Sequence, residues 1–295
     1  MKVSIVIPTL NEERLLPRLL DSLREQDFSD YEVIVADAGS VDGTRGIARS
    51  FGAKLVDGGL PGPGRNAGAR EAAGEYIFFF DADVELPAHF LKNAVDELDS
   101  RYLDLATCEI RPLSNFVIDR LVHRFINISI RATLRVDPKA MGFCIFVTRR
   151  LFHRIGGFDE TVRVGEDAEF VKRAAKISPL HWLSSVHISV SVRRFEKEGR
   201  LAHIKKGIKL NLRRAFRGEV RDDAIDYEFA RYDEGPDEYR IKLFRKIESA
   251  LLRLEKRPTI KTSPEQDSTL EELENVTEDL ARLFKRNQRK REQNR

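Results

Sequence analysis

Cysteine is almost missing from this sequence. Cys108 and Cys144 are the only two among 295 residues. That is too few for a disulfide-stapled secreted scaffold, and the expectation is a chain kept in the reducing cytoplasm. Long apolar runs are missing as well: no stretch approaches the roughly 20 residues a membrane-spanning helix needs. The opening "MKVSIVIPTL" is interrupted at Pro8 and passes into "NEER" without a small-residue cleavage site, so it does not read as a signal peptide. No internal repeat is present. The net charge is only +3, so the chain as a whole is no polyelectrolyte, although its charges are unevenly spread. The glycine cluster "GPGRNAG" does not follow the GxGxxG spacing and has no acidic partner at the right distance, which excludes a dinucleotide-binding loop.

What is present is a regular alternation. A hydrophobic fraction of 41% is enough for a sizeable core. "VSIVIP" and "YEVIVADAG" are β-branched runs that read as buried strands, and "AKLVDGG" and "EYIFFFDAD" read as two more. Between them Leu15, Leu16, Leu19, Leu20 and Leu23 recur at helical spacing, "SVDGTRGIARSFG" ends at Gly52 as a C-cap, and "GPGRNAGAREAAG" reads as a Gly-rich turn into an Ala-rich helix. The alternation predicts an α/β fold, a mostly parallel sheet flanked by helices. Such sheets bind ligands at the carboxyl ends of their strands. There the sequence places Asn11, Glu12, Asp37, Asp81 and Asp83.

Asp81 and Asp83 follow three phenylalanines in "FFFDADVE". Two neighbouring carboxylates after a buried strand repel each other unless something neutralises them. Hard oxygen donors suit Mg²⁺ or Mn²⁺, ions that keep waters and accept phosphate oxygens. Taken alone, the pair also fits the solvated start of a loop.

The pair does not stand alone. "IPTLNEE", "VIVADAGSVDGT", "GRNAGAREAAGEYIFFFDAD", "GGFDE" and "GEDAEF" occur in that order. Together they resemble the family-2 glycosyltransferases, whose catalytic domain has the GT-A fold and takes a nucleotide-sugar donor. The resemblance covers roughly residues 1 to 195. It implies that Pro8, Thr9, Asn11 and Glu12 line the nucleotide pocket and that Asp37 contacts base or ribose. It implies further that Arg65 and Asn66 approach the diphosphate or sugar, that Asp81 and Ala82 lie against the donor, and that Asp81 and Asp83 hold Mg²⁺ or Mn²⁺. In "GEDAEF" it makes Asp167 the general base of an inverting enzyme, with Glu166 beside the substrate. Both acids also suit the first turn of a helix, where negative charge is favourable. Arg194, in "SVRRFEKEG", is the nearest equivalent of a basic residue that closes over the diphosphate. Ala36 stands where the family more often has a second acid. Asp42 fits either a helix cap or a ligand contact.

Two rivals remain. A nucleotidyltransferase needs a Gly-rich loop and a basic residue after the first strand, and "PTLNEE" has neither. A non-catalytic nucleotide- or membrane-binding scaffold is opposed by the joint presence of Asp81, Asp83 and Asp167.

The catalytic domain is expected over 1–217, ending in a basic amphipathic helix at 197–217, with a charged helical extension over 218–295. The basic segment fits an anionic membrane surface. It equally fits packing within the chain against the acidic stretch that follows. No helix-turn-helix or RNA-binding signature accompanies it, which argues against nucleic acid. The last helix, with Ser268 and Glu271 spaced as a capping box, offers a surface for self-association.

Overall fold

The computed structural model describes residues 1–198. Eight strands and eight helices follow in the order β1 (Val3–Thr9), α1 (Leu16–Arg24), β2 (Tyr31–Asp37), α2 (Thr44–Phe51), β3 (Lys54–Asp57), α3 (Pro61–Arg70), β4 (Tyr76–Phe79), β5 (Val84–Glu85), α4 (Phe90–Ser100), β6 (Leu105–Pro112), α5 (Val117–Thr133), β7 (Ile145–Thr148), α6 (Arg149–Arg154), α7 (Glu166–Ala174), β8 (His181–Val190) and α8 (Arg193–Glu198). The strands form one sheet in the order β3-β2-β1-β4-β7-β6-β8-β5.

Its first half is parallel as expected, β3 to β2 to β1 to β4. Its second half is mixed: β7 runs antiparallel to both β4 and β6, and β5 antiparallel to β8, while β6 and β8 are parallel. Four of the seven strand pairings are parallel, so the sheet is mostly parallel as expected, with antiparallel neighbours confined to its second half. Apolar runs mark strands but not their direction, which long-range pairing decides.

The three phenylalanines divide between the two faces of the sheet, as the period of two requires. Phe78 and Phe80 pack with Phe90 and Phe146 on one side. Phe79 points the other way, edge-on to Phe158 at 5.2 Å, and Phe158 stacks on Phe170 at 4.2 Å. These clusters anchor the end of β4 from above and below, so the turn after it starts from a fixed point. The antiparallel pairing Phe79↔Ile145 then brings residues 142–144 alongside that turn.

One correction concerns α3. The helix begins at Pro61 and takes in the Gly-rich start of "GPGRNAGAREAAG", expected to be a turn leading into it. Proline at the first helical positions loses no hydrogen bond. The glycines let α3 lie almost on β1: a Cβ on Gly68 would sit 2.4 Å from Val6 Cγ1, and one on Gly64 3.3 Å from Pro8 Cβ. Gly52 ends α2 at φ +89°, the left-handed cap expected there. The basic helix expected over 197–217 starts within α8 and otherwise lies outside the described residues, as do the boundary at 217 and the extension 218–295. Among the described residues no helix is long and apolar enough to cross a membrane.

The close approach of α3 makes a contrast between two helical glycines. Gly68→Ala must displace buried Val6 and should cost about 1–3 kcal/mol. Gly46→Ala in α2, where an added Cβ meets nothing within 4 Å, should stabilise by about 0.5–1 kcal/mol. Urea denaturation midpoints check both. A stabilised Gly68→Ala would mean that α3 does not seat on β1 as described.

Candidate active site

The acids gathered at the ends of β1 and β4 are each tied to an arginine. Arg65, buried on α3, donates from Nη2 to Asp81 Oδ1 and from Nη1 to Glu166 Oε1, both at 2.8 Å. It thereby joins the turn after β4 to the first turn of α7, two places far apart in the sequence. Burial works against the Arg65 charge, but Asp81, Glu166 and Asp167 outweigh it. The guanidinium lies 5.7 Å over the Phe158 ring. Its Nε is the buried side-chain nitrogen left without a partner among the described residues.

Arg193, at the start of α8, makes the second cross-tie. Nη1 and Nη2 donate to the Glu12 carboxylate at 2.7 and 2.6 Å, and Nε donates to Asp83 Oδ2 at 3.1 Å. The two-pronged fit to Glu12 is the geometry that arginine, unlike lysine, provides. Burial pushes the Asp83 carboxyl up to about 6; Arg193 pulls it back and Asp81 pushes it further. Ser191 N–H donates to Asp83 O, so backbone also fastens this turn to the end of β8. Arg194, expected to close over the donor, acts on Asp83 through its charge. Its neighbour Arg193 enters the acid cluster. Both arginines stand out in the sequence as a basic pair. The choice between them depends on how α8 leaves β8, which local pattern does not encode.

Other expected residues take supporting positions. Asp37 is 1% exposed. Its oxygens accept from Thr9 Oγ1, the N–H groups of Gly39 and Ser40, Ser40 Oγ and Arg45 Nη1. These contacts shape the loop after β2, beside which base or ribose is expected. Asn11 adopts a left-handed φ of 54°, which asparagine tolerates. Its N–H donates to Ser40 Oγ and its Oδ1 accepts from Val41 N–H, tying the loops after β1 and β2 together. Glu12 N–H donates to Thr44 Oγ1, and Asp42 accepts from Glu13 N–H and from Thr44, completing the same tie. Pro8 lies in β1 opposite Ala36, and Ala82 is buried between the two aspartates. Asn66, expected beside the donor, uses its amide on the 158–160 turn: it accepts from Phe158 N–H and donates to Phe158 O and Glu160 Oε1.

Asp167 stands in the first turn of α7, partly exposed, beside Glu166. Its Oδ2 accepts from Gly142 N–H at 2.9 Å, and Oδ1 from Ala168 N–H at 2.7 Å. Gly142 is required there. A Cβ would meet Arg65 Nη2 at 2.4 Å, so a side chain would dislodge the guanidinium. Sequence reasoning singles out neither Gly142 nor the part that Arg193 plays.

Residues 4–154 match glycosyl transferase family 2. The chain belongs to that family. Among sequence relatives of this family-2 chain is the poly(ribitol-phosphate) beta-N-acetylglucosaminyltransferase TarS of Staphylococcus aureus, 33% identical over 121 residues. That match covers 38% of this chain and 21% of TarS, so the chain spans about a fifth of the length of that relative. Among solved structures, the mannosyltransferase PcManGT from Pyrobaculum calidifontis in complex with GDP-Man and Mn²⁺ aligns with a TM-score of 0.56 and 25% identity, over 70% of this chain and 64% of that one. S. aureus TarS in complex with UDP-GlcNAc aligns with a TM-score of 0.53 over 95% of this chain and 81% of that one. At 18% identity this last likeness shows the fold alone, which is the GT-A fold expected from the sequence.

The Arg65 bridge of the family-2 domain makes a prediction with a pH signature. Arg65→Met leaves two acids uncompensated and should cost about 3–5 kcal/mol. Burial and Asp167 already hold the Glu166 carboxyl above its ordinary 4.5, with Arg65 opposing them. Without Arg65 it binds its proton still more tightly when folded than when unfolded, so stability is regained as pH falls from the folded pKa toward the unfolded value. The stability lost in Arg65→Met should therefore be larger at about pH 7.5 than at about pH 5. Denaturation at the two pH values checks this; an equal loss at both would contradict the pairing with Glu166.

Proposed function

We propose that this chain is a nucleotide-sugar-dependent glycosyltransferase. It moves one sugar from a nucleoside-diphosphate donor to an acceptor hydroxyl or phosphate, with inversion at the anomeric carbon. The observation that carries the reading is the Arg65 bridge. One buried guanidinium holds the Asp81 turn and the Glu166–Asp167 turn together, and in this reading the two turns are the leaving-group end and the acceptor end of one site.

Asp81 and Asp83 fit a divalent cation that brings ligands of its own. Each presents hard carboxylate oxygen, and each has one oxygen held by an arginine. Among the described residues no group of three or more acids, histidines or cysteines gathers to cage an ion. That donor set suits Mg²⁺ or Mn²⁺ completed by water and diphosphate oxygens rather than a closed protein site. The Mn²⁺ that accompanies GDP-Man in the PcManGT complex supports the same reading. Bound there, the ion would neutralise charge on the diphosphate leaving group.

The chain's own residues divide the remaining work. Arg65 acts as a positioning residue, because its terminal nitrogens are committed to Asp81 and Glu166. Arg193 stands over Glu12 and Asp83, where a diphosphate would bring further negative charge for it to meet. Asp167 is the general base. It takes the proton of the acceptor hydroxyl as that oxygen bonds to the anomeric carbon and the bond to the nucleoside diphosphate breaks. Gly142 N–H aims it by holding Oδ2. The GDP-Man and UDP-GlcNAc of the neighbouring structures support a nucleotide-sugar donor without choosing the base or the sugar.

Asp167→Asn keeps the shape of the side chain without the basicity. It should bind nucleoside diphosphate as the parent does and lose about 10² to 10⁴ in transfer rate. Calorimetry and turnover with a nucleotide sugar measure the two effects separately. Near-full turnover would leave Asp167 as nothing more than a favourable charge at the start of α7. Retained anomeric configuration in the product would rule out direct displacement.

A further inference from the structure

Helix α5 shows solvent two adjacent stripes of opposite character. Arg120, Arg124 and Arg131 are exposed and fall within about 40° of one another around the helix, at 100° per residue. Beside them Leu121, Phe125 and Ile128 are exposed at 54%, 70% and 57%. This is not a core face left uncovered. The opposite side of α5 is already buried through Asp119, His123, Asn127 and Ile130. Asn127 fastens it to β6, accepting from Ile110 N–H and donating to Ile110 O. Three large apolar side chains exposed at i, i+4 and i+7 on one helix form a contact surface.

The arginines say what the surface contacts. They line a cavity of about 670 Å³ between α5 and the β6–β8 edge, together with Arg111 and Trp182. Glu109 is the one acid in its wall, and it is paired with Arg111 at 2.9 Å. Arg120 donates to the Asn115 carbonyl and Arg131 lies over the Trp182 ring, so among the described residues neither is shown paired with a carboxylate. A basic stripe beside an apolar stripe, with an indole between them and the sheet, is the pattern of a helix lying in a membrane interface.

We propose that this face of α5 docks on an anionic phospholipid bilayer. The arginines would meet headgroup phosphates, and Leu121, Phe125 and Ile128 would enter the acyl boundary. The segment carrying α5 is bounded at both ends by the candidate active site. Leu113 N–H donates to Val190 O, Val190 pairs with Val84 beside Asp83, and Gly142 N–H holds Asp167. Docking therefore keeps the acceptor end of the site near the bilayer. The lipid contact itself does not depend on the transferase reading, and its test involves no transfer.

The test is sedimentation of the full chain with vesicles of phosphatidylcholine alone or mixed with phosphatidylglycerol. The parent should bind the mixed vesicles and not the neutral ones, and salt should weaken it. Arg120→Glu, Arg124→Glu and Arg131→Glu combined should reduce binding by about a hundred-fold or more. Leu121→Ser, Phe125→Ser and Ile128→Ser combined should also release the protein. Both variants should remain folded with little loss of melting temperature, since every changed side chain is exposed and, among the described residues, the arginine variant gives up only the Asn115 and Trp182 contacts. Absence of binding to anionic vesicles overturns the proposal. So does binding that survives both variants, including binding removed only by Lys205→Glu, Lys206→Glu and Lys209→Glu, because it would then reside in the basic segment. A dimer dispersed by the apolar variant, without lipid binding, would assign the face to a second copy of the chain.

Discussion

A guanidinium buried between carboxylates is tolerable only where both partners are held in place, and much of this site is built to hold Arg65. Its Coulombic partners offset a desolvation cost that would otherwise be several kcal/mol. Removing either side leaves a buried charge. The surroundings follow from that. Gly142 has no side chain because one would strike the guanidinium. Phe158 lies beneath the charge, and Asn66, one residue along α3, clamps the Phe158 backbone from both sides. The motifs around residues 65, 81, 142, 158 and 166 are thus parts of one electrostatic device.

The same logic answers how Asp81 and Asp83 stand so close after a buried strand. Each carboxylate is met by a different arginine, one from α3 and one from α8. One oxygen of each carboxylate is engaged in this way, Asp81 Oδ1 by Arg65 and Asp83 Oδ2 by Arg193. A protein that used these acids only as a loop start would not need two arginines drawn from elements so distant in sequence. The raised Asp83 carboxyl shows that burial still outweighs the arginine nearest to it. A further positive charge at this point would be favourable.

Much of the fold was legible because its signals are local. β-branched runs marked β1 and β2, leucine spacing marked α1, and Gly52 marked the end of α2. The direction of β7 was not legible, because antiparallel pairing with β4 is a tertiary choice. Nor was α3: glycine and proline read as a turn, and only the nearness of β1 explains why a helix there is made of them. In the site, the motifs carry the acids that the fold gathers around Arg65 and Arg193. What the pattern does not show is which loops fold back on them: Asp37 hydrogen-bonds the loop after β2, and Asn66 the turn at Phe158. Arg193 became distinguishable from Arg194 only once the end of β8 was placed beside Asp83.

The proposed function turns on Asp81 and Asp83 forming a site that a divalent cation and a nucleoside diphosphate would complete together. Calorimetric titration of UDP and of GDP into the full chain, with Mn²⁺ and after chelation, tests that directly. The expected result is binding of at least one nucleotide, tightened by about ten-fold or more by the cation. Equal affinity with and without Mn²⁺, or no binding of either nucleotide, would contradict it.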